Sequence, residues 1–281
     1  MSTALIFDVD NTLTPPRRQI QADMADAINR LSVPFALAAG SNLALVREQF
    51  LEPMHRFGFR GEFDAFVCNG ATRYRCTYAD DFRVQIVREF SFRDHLGADR
   101  YQRLLDVLRS TLEHPRFRLP QSLPLMGEQI TDRGSMLNFA PVGRPGERAV
   151  DEAGFRNRDA FVAFDAKAGY RSEMLLHLRK ELQPIMQETG LAIALGGQTS
   201  FDIVVKGNDK TYPVRTLLQE GHSNVIYFGD ALFEGGNDEA VLHLIAEWGA
   251  GKCPVSAVAV AHCAETKSRL QELGFLSNSS P

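Results

Sequence analysis

Several things are scarce in this chain of 281 residues. Its four cysteines, Cys68, Cys76, Cys253 and Cys263, include no C-x-x-C pair. That spacing suits neither a zinc site nor a secreted disulfide framework, so free thiols in a reducing cytosol are expected. There is no basic excess, because the formal net charge is −4. A general nucleic-acid binder carries a basic footprint, so that class is excluded. A small anion needs only a local cluster of Arg or Lys and stays admissible. No apolar run reaches the ~20 residues that span a bilayer. The opening Met1-Ser2-Thr3-Ala4 carries no basic region ahead of a long apolar one. The expectation is a soluble, cytoplasmic protein without membrane contact. Internal repeats and low-complexity segments are absent too.

What is present is an ordinary globular mix, 44% hydrophobic and 23% charged, which excludes overall disorder. The length is ample for a large buried core. Thr3 to Phe7 is a short apolar run that reads as a buried strand ending at Asp8. Ile20, Met24, Ile28 and Leu31 then recur at helical spacing. Phe35 to Ala39 reads as a second strand ending at Gly40-Ser41-Asn42, and Leu43 to Leu51 as a helix. Phe63 to Cys68 is a third strand, ending at Asn69-Gly70. This alternation predicts a doubly wound parallel α/β sheet, in which ligands bind at the carboxyl ends of the strands. Asp8, Ser41 and Asn69 all fall there.

The pattern then changes. Phe82, Val84 and Ile86 alternate, as do Phe201, Ile203 and Val205; Met136 to Ala140 and Leu191 to Leu195 also read as strands. One helix is marked by Tyr101, Leu104, Leu105, Leu108 and Leu112, another by Met174 to Leu182. Such a mixture predicts an inserted α+β domain. Arg144 to Asp159, rich in charge, Gly and Pro, reads as a loop. After Lys210 the first pattern returns, with a helix from Val214 to Glu220 and strands over Asn224 to Phe228 and Ser256 to Val260. A last helix over Ala264 to Leu273 precedes a polar tail. The expected division is a catalytic core of residues 1–86 and 207–281 around an insert of residues 87–206.

The chemistry concentrates at Phe7-Asp8-Val9-Asp10-Asn11-Thr12-Leu13-Thr14. Two carboxylates two residues apart, just past a buried strand, are costly without a cation. Mg²⁺, hard and oxygen-seeking, is the natural compensator. An Asp carboxylate can also attack phosphorus and form an aspartyl-phosphate. The plain alternative is that Asp8 only closes a turn. A second acidic stretch, Gly229-Asp230-Ala231-Leu232-Phe233-Glu234-Gly235-Gly236-Asn237-Asp238, also follows a buried strand. Asp230 and Asp238 could reach a metal held by Asp8, or the stretch could be a glycine-rich turn with a helix cap. Alone, Ser41 reads as a cap and Lys210 as a surface charge. In combination and order they complete what phosphoryl transfer needs: a nucleophile, a proton carrier, donors to the phosphoryl oxygens, a cation and a metal clamp.

That ordered set resembles the four signature motifs of the haloacid dehalogenase superfamily, and more narrowly the eukaryotic-type phosphomannomutase family. The resemblance runs through FDVDNTLTPPR, the AGSN turn, RGSMLNFAPVGR, GGQTSFD, the DK at 209–210 and YFGDALFEGGND. It implies that Asp8 is the nucleophile, Asp10 the general acid and base, and Ser41 and Lys210 the binders of the transferring phosphoryl group. It implies Mg²⁺ held by Asp8, the carbonyl of Asp10 and Asp230, with Asp238 orienting Lys210 or a metal-bound water. In the insert, a cap domain by resemblance, it implies Arg133, Arg144 and Arg158 on the substrate's other phosphate and Ser200 and Asp202 on the sugar. Arg17 of the core would face the substrate. Planar guanidinium groups suit that phosphate-binding role.

Two features depart from the pattern. Asn11 stands where the first motif usually has Gly, and Asn tolerates a left-handed backbone. An insertion around residues 146–156 precedes Arg158. The function implied is interconversion of a mannose or glucose 1-phosphate and 6-phosphate, with a hexose 1,6-bisphosphate as activator and a homodimer formed through the cap. A sugar-phosphate phosphatase on the same core, or a non-catalytic binding protein, are the alternatives.

Overall fold

The structure, a computed structural model, describes residues 2–144, 152–248 and 253–277. It divides into two compact units. The first contains the chain up to Glu89, Asp209–Glu234 and the chain from Asp238 onward; the second contains Phe90–Asn208 and Gly235–Asn237. Among the described residues no helix is long and apolar enough to cross a membrane.

The first unit begins with β1 (Thr3–Phe7) and α1 (Ala22–Asn29). β2 (Phe35–Ala38) leads into α2 (Leu43–Val46), which starts where the Asn42 side chain accepts a hydrogen bond from the Leu45 backbone. A π-helical turn over Arg47–Leu51 joins α2 to α3 (Glu52–Arg56). Then come β3 (Gly61–Val67), β4 (Thr72–Tyr78) and β5 (Phe82–Arg88).

The second unit holds α4 (Phe92–Leu96), α5 (Ala98–Glu113), β6 (Glu128–Asp132) and β7 (Leu137–Arg144). It continues with α6 (Glu152–Ala168), α7 (Tyr170–Glu181), α8 (Gln183–Thr189), β8 (Leu191–Gly196) and β9 (Ser200–Val205). The chain returns to the first unit with α9 (Thr211–Gln219), β10 (Asn224–Gly229), α10 (Glu239–Glu247), β11 (Val255–Ala259) and α11 (Cys263–Glu272).

The first unit's sheet has seven strands in the order β11-β10-β1-β2-β3-β4-β5. The five from β11 to β3 are parallel, and β10, β1 and β2 are the buried apolar runs usual in such sheets. β1 lies between β10 and β2, with Phe7 level with Phe228 and Leu37. Side chains alternate between the faces. One face carries a run of rings, with Phe35 and Phe63 stacked 4.6 Å apart and Phe7 5.1 Å from Phe228. The other packs Ile6, Ala36, Phe66 and Tyr227 against Val214 of α9 and Val241 of α10. Burying each large apolar side chain contributes about 1.5–3 kcal/mol. Both faces therefore hold the central strand ends, where the polar residues emerge, in fixed register.

Two details are added and one expectation is corrected. The sheet is not wholly parallel, since β4 and β5 extend it as an antiparallel hairpin. The alternating run Phe82, Val84, Ile86 therefore belongs to this sheet, and at its edge Ile86 is exposed. The stretch Arg144 to Asp159 is not all loop, because residues from Glu152 onward are in α6; residues 145–151 lie outside the described residues. Gly and Pro early in that stretch suggested a loop, but Phe161 is fully buried and packs edge-on against Tyr170, and tertiary burial overrides local propensity.

The second unit's sheet is antiparallel, in the order β6-β7-β9-β8. Leu104 and Leu108 of α5 and Met174 and Leu178 of α7 pack with Leu137, Phe139, Phe201 and Ile203 of the sheet. Asn138 of β7 stands directly opposite Asp202 of β9, the one polar pairing in an apolar register.

Candidate active site

At the carboxyl end of the first unit's sheet, β1 ends in Asp8, whose backbone N–H bonds Phe228 O at 2.9 Å. The chain then turns tightly. Leu13 and Thr14 both donate to Val9 O, and Asn11 donates to Thr14 O. Asn11 has a φ of 62°, the left-handed backbone expected of it. Its side-chain amide donates to Asp230 Oδ2 at 2.7 Å, tying the first acidic motif to the second.

Lys210, at the start of α9, has no exposed surface. Its Nζ donates to Asp8 Oδ1 at 2.7 Å and to Asp238 Oδ1 at 2.6 Å. Asp238 also accepts from the Tyr227 hydroxyl at 2.6 Å through Oδ1 and from the Ala231 N–H at 3.0 Å through Oδ2. Asp8 and Lys210, 202 positions apart in the chain, are therefore direct partners. Lys210 is not the surface charge it could have been.

Asp10 is set apart from this group. Its Oδ1 accepts from the Arg17 backbone N–H at 2.8 Å and from Gln49 Nε2 at 2.7 Å. Gln49 comes from the π-helical turn, whose extra residue per turn displaces its side chain from an ordinary helical path. Arg17 is buried with a left-handed φ of 57°, a strained backbone for an arginine. Ser41 lies just past β2, buried, with its carbonyl accepting from Cys68 N–H at 2.8 Å. The cap of α2 is Asn42, so Ser41 is not spent on capping.

Oxygens of Asp8, Asp230 and Asp238 lie within 4.8 Å of one another. Three carboxylates face one ammonium, which leaves an excess of negative charge in a buried place. Burial pushes the Asp8 carboxyl well above the ordinary carboxylate range; Lys210 pulls it back, while Asp238 and Asp230 add to the rise. Burial alone would lower Lys210, but Asp238 and Asp8 outweigh it and the net shift is upward. The two directions compete, one towards a neutral acid and the other towards a charged amine. With two carboxylates in hydrogen-bond contact, Lys210 stays charged, and what Asp8 lacks is a further cation. Asp230 is pushed up to about 6 by burial and by Asp238, against the Asn11 hydrogen bond and Lys210. An all-oxygen donor set with surplus negative charge fits a hard divalent cation. Asp238 is already held by three donors, so Asp8 and Asp230 are the side chains left to hold one.

A second polar cluster lies in the other unit. Arg144 Nη2 donates to Ser200 Oγ at 2.8 Å, and that hydroxyl donates to Gly196 O at 2.7 Å. Asn138 Nδ2 lies 2.7 Å from Asp202 Oδ1 and 3.1 Å from Ser200 Oγ. Asn237 Nδ2 reaches Asp202 Oδ2 at 3.3 Å. Gly196 has to be glycine, since a Cβ there would collide with the Asp202 carboxylate. Arg171, paired with Asp165 at 2.7 Å, donates to Gly197 O at 2.9 Å and fixes the turn before Ser200. Arg144, Ser200 and Asp202 are thus gathered. Arg133 is half-buried just after β6, its N–H donating to Met136 O, and Arg158 is half-buried on α6.

The sequence model of eukaryotic phosphomannomutase matches residues 24–247. The chain belongs to the eukaryotic phosphomannomutase family. It is 33% identical to a phosphomannomutase of Schizosaccharomyces pombe, over 84% of this chain and 83% of that protein. With a phosphomannomutase of Saccharomyces cerevisiae it shares 32% over 84% and 83% of the two chains. Among solved structures it resembles an IMP-nucleotidase of Plasmodium falciparum, at a TM-score of 0.60 and 15% identity, covering 98% of this chain and 68% of the other. It also resembles a trehalose-6-phosphate phosphatase of Aspergillus fumigatus, at 0.51 and 16%, covering 97% and 92%. Both likenesses show the haloacid dehalogenase fold alone. Membership makes this protein an enzyme with a mutase role.

For a phosphomannomutase family member, the structure adds residues that the motifs did not single out: Gln49, Tyr227, Asn138, Arg171 and Asn237. Asn138 carried a signal in sequence, as a polar residue inside the apolar run Met136 to Ala140. Gln49 carried none, because a Gln on a helix is ordinary; Tyr227 opens the YFGDALFEGGND stretch, but a Tyr in a buried strand is ordinary and gave no role.

Proposed function

We propose that this phosphomannomutase family member transfers a phosphoryl group through Asp8 and so interconverts hexose 1-phosphate and 6-phosphate, with mannose or glucose as the sugar. The observation that carries this reading is the buried Asp8–Lys210–Asp238 chain with Asp230 beside it. It is an acid that cannot diffuse away, aligned by a fixed ammonium, in a place short of positive charge.

The residues act in turn. A phosphoryl group carried on Asp8 passes to the free hydroxyl of a hexose monophosphate, while Asp10 takes the hydroxyl proton. The product is a hexose bisphosphate and free Asp8. After the sugar reverses, Asp8 attacks the other phosphorus, and Asp10 returns the proton to the leaving oxygen. Gln49 and Arg17 N–H hold Asp10 by one oxygen, leaving the other for the proton. Lys210 balances charge on the transferring group, and Ser41 donates a hydrogen bond to it. Mg²⁺, held by Asp8, Asp230 and the Asp10 carbonyl, would supply further charge neutralisation when bound. Arg133, Arg144 and Arg158 would take the non-reacting phosphate, Ser200 and Asp202 would orient the sugar, and Arg17 would face it. A hexose 1,6-bisphosphate would supply the first phosphoryl group. A homodimer through the second unit, in the cytoplasm, belongs to the same reading.

A sugar-phosphate phosphatase is the second reading. Its support is that the two solved structures cited above are a nucleotidase and a sugar-phosphate phosphatase on the same fold. The reactions diverge only in whether water or a sugar hydroxyl attacks the phosphorylated aspartate. Acid quenching during turnover tests the shared step. Native protein is expected to carry one phosphoryl group on the peptide containing Asp8, and Asp8→Asn none. Full activity in Asp8→Asn would overturn both readings.

A further inference from the structure

Tyr227 lies on β10, completely buried among apolar side chains such as Ile6 and Val241. Its hydroxyl is nevertheless aimed at Asp238 Oδ1, at 2.6 Å, the same oxygen that takes Lys210 Nζ at 2.6 Å. The other oxygen of Asp238 is held by the Ala231 N–H. A slot is built for this arrangement: a Cβ on Gly229 would strike both the Asp238 carboxylate and the Tyr227 ring. A carboxylate has two oxygens and turns freely about its last bond unless donors fix it. Here the donor is a ring locked by strand packing.

We propose that Tyr227 is a positioning residue for phosphoryl transfer, its hydroxyl fixing Asp238 so that Lys210 is held against Asp8. The proposal rests on the reading of Asp8 as nucleophile. Without the hydroxyl, Oδ1 keeps only Lys210 itself as a donor, so the Asp238 carboxylate can swing about its Ala231 hydrogen bond and Lys210 can follow it away from Asp8. The loss falls on the step in which charge develops near Asp8 and not on capture of the sugar phosphate.

Tyr227→Phe keeps the ring and its packing. The expected result is a kcat about tenfold lower, the size of one hydrogen bond to a charged group, with KM within about twofold of native. In an Asp238→Ala background the same change is expected to add nothing, because Tyr227 acts only through Asp238. A thermal melt shows the folded fraction. A lower melting temperature with kcat unchanged per folded molecule would overturn the proposal, as would a full tenfold loss in the Asp238→Ala background.

A second measurement separates this proposal from the mutase reading: binding of beryllofluoride with Mg²⁺, a mimic of phosphorylated aspartate. If native protein binds it but turns over no hexose phosphate, the mutase reading fails, and Tyr227→Phe is still expected to bind about tenfold more weakly. Equal binding by variant and native protein would overturn the Tyr227 proposal, and absence of binding by native protein would overturn it together with the nucleophile.

Discussion

Lys210 illustrates how little a single residue says until its neighbours are known. In the chain it is one lysine before a helix; in the structure it is the buried ammonium between Asp8 and Asp238. Removing one partner of a buried ion pair costs about 3–5 kcal/mol, because the other charges stay behind unpaired. Lys210→Met should therefore lower stability as well as activity, visible as a lower melting temperature. Asp10→Asn should keep the fold and cost about 10²–10⁴-fold in kcat, the usual share of a general acid and base; an activity within twofold of native would remove Asp10 from that role. Asp230 gives a prediction in pH. Its folded-state value near 6 lies above the ordinary value of 3.8, so the folded metal-free protein binds this proton more tightly than the unfolded chain. Its contribution to stability is present at low pH and is lost as pH rises through about 6. A cation that replaces the proton restores it. The rise in melting temperature caused by Mg²⁺ should be larger at pH 7.5 than at pH 5, and an equal rise at both would contradict the assignment.

Elements were legible where local pattern and burial agree. β1, β2 and the strand ending at Gly229 are short apolar runs bounded by polar turns, and each lies in the parallel part of the sheet. β1 and β10 carry Asp8 and Asp230 to the rim, and β2 carries Ser41. β4 escaped because Thr72–Tyr78 mixes arginines with apolar residues; its Arg73 and Arg75 are paired with Asp64 across the hairpin, which sequence cannot show. α6 escaped because Gly and Pro near its start outweighed the helix formers after them. The π-helical turn had no signature at all, yet it delivers Gln49 to Asp10. In the second unit, the β7–β9 pairing brings Asn138 to Asp202, and Arg144 reaches Ser200. Arg144→Ala should raise KM for a hexose phosphate about 10–100-fold, the loss of a charge-assisted contact to phosphate, with kcat changed less. An unchanged KM, read from initial rates, would take Arg144 out of substrate binding.

For the whole molecule, three stretches of chain, up to Glu89, Asp209–Glu234 and from Asp238 onward, build the first unit. The acidic rim therefore draws on residues about 200 positions apart, Asp8 and Lys210 among them. Order along the chain revealed these residues as a set, whereas hydrogen-bond partners such as Tyr227 needed the fold. The rim contains a buried acid, a fixed ammonium and neighbouring carboxylates; with Asp8 proposed as the nucleophile, that kit serves both mutase and phosphatase chemistry. Under that proposal, the choice rests on whether water or a sugar hydroxyl attacks the phosphorylated aspartate. The most direct measurement incubates purified protein with Mg²⁺, mannose 1-phosphate and a trace of glucose 1,6-bisphosphate, following mannose 6-phosphate and free phosphate together, with Asp8→Asn as control. Mannose 6-phosphate forming well ahead of free phosphate, and neither forming with Asp8→Asn, is the expected result. Free phosphate alone, or conversion that survives Asp8→Asn, would contradict it.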